Sequence, residues 1–565
     1  MNEVTARAWE RVKAYWAAFR AGTESLGIGE TGITETRELW LLPLFRELGY
    51  GRLVYRQTVE EIDGHRYAIS HQAGDGGDAP PVHLVSLKQE LDRPAGATAG
   101  QPRTSPHGVL QEYLSRTEHL WGIVANGKRL RLLRDNQSLS RAAYIEFDLE
   151  AMLEGGVYAD FGLLYLTAHR SRLPALGQPV AACWLERWRE VAEERGARAL
   201  DELRSGVEAA IRALGQGLLE HPENAELREK LVSGKLSILG YYRQLLRLVY
   251  RFLFLLAAEE RELLFESNVD PARHDIYRRH YGLSRLRQLV EQRRHADRHD
   301  DLWRSLRITF AALRDEETTS TLGLKPLGGG LFGTPSCPDL DGALIANGRL
   351  LEAVRGLSFT GAGQGEVVRR VNYRDMDVEE LGSVYEGLLD LEPVLMTIGE
   401  RPSFELGASG ERRSSGAYYT NPGLVRELIT SALEPTIEKV LRSGHSVEEK
   451  RGNLLGLKIC DPACGSGHFL LAAARRIGWE VARLDAGGTE PDPETTREGV
   501  REAVHHCVYG VDLNPLAVDL CKLALWLEGH TPGKPLGFLD HHIKHGNSVV
   551  GATTDSMEQG IREGV

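Results

Sequence analysis

The sequence has 565 residues, 42% hydrophobic and 26% charged, a globular balance that excludes a mostly disordered or collagen-like chain. With 68 Lys and Arg against 80 Asp and Glu the net charge is −12, so nucleic-acid or membrane binding would need a local basic patch. The 6 cysteines form no paired Cys-x-x-Cys pattern, which excludes a disulfide framework and fits a cytoplasmic location.

The predicted elements begin with a helical stretch over 1–35, charged throughout its first 20 residues and without the apolar run of a signal peptide. From Leu41 to Ala175 the pattern is mixed α/β. Residues 66–70 and 82–87 read as strands around a glycine turn, and Gly108 to Leu114 reads as a helix after Ser105-Pro106. Residues 121–125 and 130–133 flank Asn126-Gly127, the strongest short hairpin signal. Residues 176–320 read as helical. Tyr241 to Phe265 is the most apolar long stretch, but Arg243, Arg247 and Arg251 recur every four residues. A bilayer span needs about 20 uninterrupted apolar residues, so this is read as a buried helix with an arginine edge, and no membrane partner is expected.

Residues 273–307 hold 10 arginines, among them Arg278, Arg279, Arg285, Arg287, Arg293 and Arg294. They read either as a solvated helix face or as a contact surface for a phosphate backbone. Residues 321–365 are loop-rich, Val378 to Leu391 reads as a helix, and 404–416 as a polar, flexible segment. An alternating α/β pattern follows from Tyr418. The expected division is a mixed α/β domain over 1–175, a helical domain over 176–320, a connector over 321–415, and a ligand-binding α/β domain over 416–565.

Chemistry concentrates in Asp461-Pro462-Ala463-Cys464-Gly465-Ser466-Gly467-His468-Phe469-Leu470. The apolar run Leu454 to Cys460 predicts a buried strand before it, and Leu470 to Leu484 a helix after it. Strand, glycine turn and helix make a nucleotide-type site. Gly465 and Gly467 remove side chains where a ligand must touch backbone. A pyrophosphate would want no acid here, yet Asp461 opens the turn. A carboxylate suits a cation such as an ammonium, which favours S-adenosylmethionine over a dinucleotide. Downstream, Val508 to Asp512 reads as a strand ending in an acid placed for ribose hydroxyls. Gly416-Ala-Tyr418-Tyr419-Thr420-Asn421-Pro422 places a tyrosine pair, read as a lid, before a helix that Thr420 or Asn421 would cap. Cys460 and Cys464 read as small buried side chains. The pairs His505-His506 and His541-His542 read as loop or helix-end residues, and no metal site is expected.

With these motifs in this order, residues 371–550 resemble amino-group DNA methyltransferases of the γ arrangement, acting on adenine N6. Gly416 to Pro422 resembles their motif X, Asp461 to Leu470 motif I, Val508 to Pro515 motif II, and His545-Gly-Asn547-Ser motif III. The resemblance implies an incomplete Rossmann-like domain. It assigns Tyr418, Tyr419, Thr420, Asp461, Ala463, Gly465, Gly467, Phe469, Asp512, Leu513 and Asn547 to S-adenosylmethionine. Asn547 stands where an Asp is common. Residues 373–389 and parts of 105–135 resemble the connector and N-terminal region of large Type IIG restriction–modification enzymes and of BREX- and DISARM-like phage-defence enzymes. Double-stranded DNA is then the expected partner.

The motif that holds a flipped base's amine, Asn/Asp-Pro-Pro-Tyr/Phe, is not among these residues, so no catalytic residue is assigned. Only strands 1 to 3 of the family's sheet are expected, with strand 1 at an edge. The expectation is an N-terminal portion of a longer enzyme, inactive alone, whose second methyltransferase half and target-recognition domain come from a truncated or split part. In related fused enzymes the N-terminal region is often a nuclease. Here Ser86-Leu87-Lys88 lacks the metal-binding acid and only Asp75 or Asp78 could serve as the other, so a degenerate domain without Mg²⁺ is expected. Transfer to cytosine N4, RNA or a protein glutamine, and a non-catalytic DNA-binding scaffold of a defence complex, are the alternatives.

Overall fold

The computed structural model describes all residues except 1, 25, 28–29, 63–64, 77–78, 94–103, 118, 136–142, 175–178, 180–181, 266–268, 293–295, 315–321, 325–326, 328–330, 334–335, 362–367, 375, 387, 389–390, 399–400, 409–419, 488–490, 531–538 and 551–565. The chain divides into two compact units, 1–195 with 479–496, and 196–478 with 497–565. Most of the helical region, the connector and most of the C-terminal α/β region thus share one unit.

The first unit opens with α1 (Asn2–Glu24), a π-helical turn and α2 (Leu42–Glu47). Short strands follow: β1 (Val54–Tyr55), β2 (Glu60–Ile62), β3 (His65–Tyr67), β4 (His71–Gln72) and β5 (Pro81–Leu84). The predicted strands over 66–70 and 82–87 are shorter than expected. Next come α3 (Pro106–Arg116), β6 (Trp121–Ala125), β7 (Arg129–Arg134), β8 (Ala143–Asp148), α4 (Leu149–Glu154) and α5 (Tyr158–Ala168). The sheet runs β1-β4-β5-β6-β7-β8, parallel only between β5 and β6. Ser105 caps α3 by accepting from the Gly108 N–H, and Gly127 turns the β6–β7 hairpin at φ +87°. Trp9, Trp16, Trp40, Phe45 and Phe161 fill the core.

Helix α6 (Trp184–Glu220) leads on to α7 (Ala225–Val232), α8 (Ile238–Glu260), α9 (Pro271–Ile276), a second π-helical turn (Tyr277–Tyr281), α10 (Leu283–Gln292) and α11 (Asp301–Arg314). Helix α8 is buried as expected, but its three arginines do not share one environment. Arg243 is exposed, Arg247 pairs with Asp519, and Arg251 is buried against Asp341, Ser336 and the Leu331 carbonyl. The adjacent acids at the end of α8 tie the unit together. Glu259 accepts from the N–H groups of Leu283 and Ser284 at the start of α10, and Glu260 from those of Tyr373 and Arg374.

Two segments correct the sequence reading. The loop-rich stretch contains α12 (Asn347–Ser358), followed by the pair β9 (Phe359–Thr360) and β10 (Arg369–Arg370). The predicted helix over 378–391 ends early: after α13 (Val378–Glu386), β11 (Leu391–Ile398) and β12 (Arg401–Ala408) form an antiparallel hairpin, so 404–408, expected to be flexible, is strand, while 409–416 lie outside the described residues. Phe404 anchors it. The ring is 2% exposed, 5.6 Å from Tyr241, and its N–H donates to Gln216 on α6.

The C-terminal α/β region comprises α14 (Pro422–Leu428), a π-helical turn, α15 (Glu434–Ser443), α16 (Val447–Leu455), β13 (Ile459–Asp461), α17 (His468–Asp485), α18 (Pro493–His506), β14 (Val508–Asp512), α19 (Pro515–Gly529), α20 (Leu539–His542) and β15 (Ile543–His545). The predicted strand over 454–460 is corrected. Ser446 caps α16, which runs through the buried Leu454 and stops at Gly456, so only Ile459 to Asp461 extend. Strands β13, β14 and β15 pair in parallel and in that order, with β13 at an edge among the described residues.

Candidate functional site

The site lies where β13 and β14 end. Asp461 closes β13, and its Oδ1 accepts from the Ala463 N–H at 3.1 Å. The chain then turns through Gly465 and Gly467, at φ +51° and +92°, conformations that disfavour other residues. A Cβ on Gly467 would stand 2.7 Å from Cys521 Sγ, so this position has no room for a side chain. Asp512 closes β14 and holds the turn from the other side. Its Oδ2 accepts from the Gly465 N–H at 2.9 Å and its Oδ1 from the Asn514 N–H at 2.8 Å. Asp461 and Asp512 thus flank one glycine turn. Burial raises the Asp461 pKa first of all, the Ala463 hydrogen bond opposes this, and the Asp512 charge raises it further. Neither carboxylate has an ion-pair partner among the described residues.

The remaining predicted residues are placed with varying clarity. Ala463 and Leu513 are exposed, Leu513 to 67%, and Phe469 and Thr420 are half-buried. Asn547 is exposed, and its Oδ1 already accepts from the N–H groups of Val549 and Val550, each at 3.0 Å. Offering that oxygen to a ligand amine requires the turn to open. Tyr418 and Tyr419 lie outside the described residues. Asn421, rather than Thr420, caps α14. Cys464 is buried as expected, whereas Cys460, on the edge strand, is exposed.

Several contacts escaped sequence reasoning. Ser548 Oγ donates to the Pro462 carbonyl at 2.7 Å, which ties the segment after β15 to the turn. His545 Nε2 donates to the Leu513 carbonyl at 3.0 Å. His468 and Arg475 on α17 reach α13. The capping box Asp377-Val-Glu-Glu380 marks the start of α13 in the sequence but gives no signal of this contact.

The basic stretch is not one face. Arg287 is 1% exposed, because its guanidinium is bound by Glu260 and by the Ser358 and Val371 carbonyls, so it is corrected from contact residue to core residue. Arg279 is exposed and pairs with Asp275. Arg278 is exposed and Arg285 half-buried, and Arg293 and Arg294 lie outside the described residues. In the N-terminal domain Lys88 Nζ donates to the Glu30 carbonyl at 2.6 Å and Ser86 Oγ to that of Thr31. Asp78 lies outside the described residues. Among the described residues no group of three His, Cys, Asp or Glu is placed to hold a metal ion, and no helix is long and apolar enough to cross a membrane.

The glycine turn thus lies between two carboxylates at the ends of neighbouring parallel strands. Residues 404–553 match the family model described as N-6 DNA Methylase. The chain is 23% identical over 277 residues to a protein of Methanocaldococcus jannaschii named as a type II restriction enzyme and methyltransferase, covering 41% of this chain and 21% of that protein. It is 36% identical over 113 residues to the adenine-specific methyltransferase PglX of Streptomyces coelicolor, covering 20% of this chain and 8% of that protein. The matches therefore span about a fifth or less of these relatives. Among solved structures, the Type IIL restriction-modification enzyme MmeI in complex with DNA aligns over 62% of this chain and 41% of that one, at 19% identity and TM-score 0.37. The DrdV–DNA complex aligns over 98% and 42%, at 12% identity and TM-score 0.27. The resemblance to adenine-specific DNA methyltransferases of restriction and phage-defence systems is thus matched by family and relatives.

Proposed function

We propose that this chain carries the S-adenosylmethionine-binding part of an adenine-N6 DNA methyltransferase of a restriction–modification or phage-defence system, with double-stranded DNA as its partner. The observation that carries the reading is the pair Asp461 and Asp512 around one glycine turn with no ion-paired cation among the described residues. Such a pocket suits a ligand that brings a positive charge and hydroxyl donors. Asp461 would accept the ammonium and Asp512 the ribose hydroxyls through lone pairs its backbone donors leave open. Gly465 and Gly467 let the ligand approach the backbone, and Leu513 offers apolar surface to a base. When bound, S-adenosylmethionine supplies an electrophilic methyl group. Thr420, Ala463, Phe469 and Asn547 line the approach on this reading, and Tyr418 and Tyr419 are assigned as a lid by the resemblance alone.

No residue is assigned to the transfer step, because the motif that holds a target amine is not among the 565 residues. On its own the chain is expected to bind the cofactor and to leave DNA unmethylated. Arg278 and Arg285 are proposed as phosphate contacts. The N-terminal domain is proposed as a nuclease-like scaffold without a metal, in a protein of the cytoplasm. Calorimetric titration with S-adenosylmethionine tests the reading. Saturable one-site uptake supports it, and no uptake overturns it.

A further inference from the structure

Helix α13 lies against Ser466 and His468 at the glycine turn. Ser466 lies within the turn and His468 follows it; they are 2% and 6% exposed. Ser466 Oγ and His468 Nδ1 are 3.3 Å apart, and His468 Nε2 lies 3.5 Å from the Glu379 carbonyl on α13. A carbonyl only accepts, so Nε2 carries a proton, and Nδ1 pairs with the Ser466 hydroxyl. One imidazole therefore joins the turn to the helix.

Gly382, one turn further along α13, packs over the same pair. A Cβ there would stand 3.4 Å from Ser466 and 3.6 Å from His468 Nε2, contact distance with no room for a branched side chain. Two turns into α17, Arg475 is 5% exposed and binds Glu379 at 2.8 Å, Asp377 at 2.9 Å and both oxygens of Glu528 on α19 at 2.9 Å. Asp377 caps α13 and Glu379 sits in its first turn, where the helix dipole favours negative charge. Beneath, Val378 and Leu381 face Leu520, Leu523, Ala524 and Leu527 of α19.

We infer that α13 is a clamp on the cofactor turn, with His468 and Arg475 as positioning residues, so that docking of the connector sets the turn's rigidity and its affinity for S-adenosylmethionine. The affinity half of the inference rests on the function proposed above; the rigidity half does not. The polar contacts hold the first turn of α13 to α17, and the absent side chain at Gly382 lets the helix close on Ser466. A clamp of this kind ties cofactor binding to the helical region through residues that never touch the cofactor.

The test uses the full chain and two pairs of variants. Hydrogen exchange is followed over residues 463–470, alongside calorimetry with S-adenosylmethionine and a melting curve. Gly382→Ala, which fits, is expected to match the parent. Gly382→Val is expected to speed exchange in the turn and to weaken uptake about tenfold, the size of one lost hydrogen bond. His468→Ala is expected to do the same and His468→Gln to restore both readouts, since its amide can donate to the Glu379 carbonyl. Should Gly382→Val fail to fold, the His468 pair decides alone. Turn exchange and affinity equal to the parent in His468→Ala would overturn the clamp. If the parent takes up no cofactor while exchange rises in the variants, the clamp stands and the cofactor reading falls.

Discussion

In the N-terminal sheet, charge is closed on itself: Arg131, 3% exposed, sits between Asp92 and Glu146, and Glu186, 5% exposed, between Arg134 and Arg189. At the ends of β13 and β14 two carboxylates share a turn and, among the described residues, have only backbone N–H groups as partners. Both arrangements pay for desolvation, yet only the first contains its own compensation. A closed network is structure. On the proposed reading the open pair receives its cation from the ligand, and that difference would separate a charged core from a ligand site more sharply than burial does.

The largest effect expected from breaking the comparison is at Asp512. Asp512→Ala removes both the proposed ribose acceptor and the anchor of the Gly465 N–H, so calorimetry should detect no S-adenosylmethionine uptake. Arg131→Met is the counterpart in the closed network. Removing one partner of a buried pair costs about 3 kcal/mol, to be read as a lower denaturant midpoint, with cofactor affinity unchanged. The same variant should alter acid stability. Burial pushes Asp92 up, but hydrogen bonds and charge from Arg131 outweigh it and hold its pKa below the ordinary value. A depressed acid contributes stability above its unfolded pKa and loses it as pH falls through the folded one, so Arg131→Met should flatten this part of the parent's acid unfolding curve.

Smaller effects sharpen the same contrast. Arg278→Ala should lower DNA affinity uniformly across sequences and reduce the salt slope by about 1. Arg287→Ala should instead destabilise the fold, because its guanidinium is bound within the core. Asn547→Ala should weaken cofactor uptake by no more than about fivefold, since its Oδ1 is spent on its own turn, a contact worth about 1 kcal/mol.

What the sequence disclosed follows from the range of the interactions involved. The glycine turn, the Asn126-Gly127 hairpin and the caps at Ser105 and Asn421 depend on neighbours within a few residues, and the residues themselves declare them. The acids Asp461 and Asp512 were legible because each closes a strand before a helix. Arg287 was not, because Glu260 and the Val371 carbonyl that bury it lie far away in the chain. The β11–β12 hairpin was hidden for the same reason. Phe404 and Leu406 turn inward, but Tyr241 and Gln216, which receive Phe404, belong to helices more than a hundred residues earlier. Gly456 carried the local signal that ends α16, and the apolar run around it masked that signal.

The most direct measurement is S-adenosylmethionine calorimetry in two acidic buffers of different ionisation enthalpy, which counts protons exchanged on binding. Burial and Asp512 hold the Asp461 pKa above the ordinary carboxylate value, so as pH falls its carboxyl keeps a proton that an arriving ammonium must expel. The account predicts uptake with proton release in the parent, weaker affinity as pH falls, and no proton release in Asp461→Asn. Absence of uptake, or uptake with no proton released at any acid pH, would contradict it.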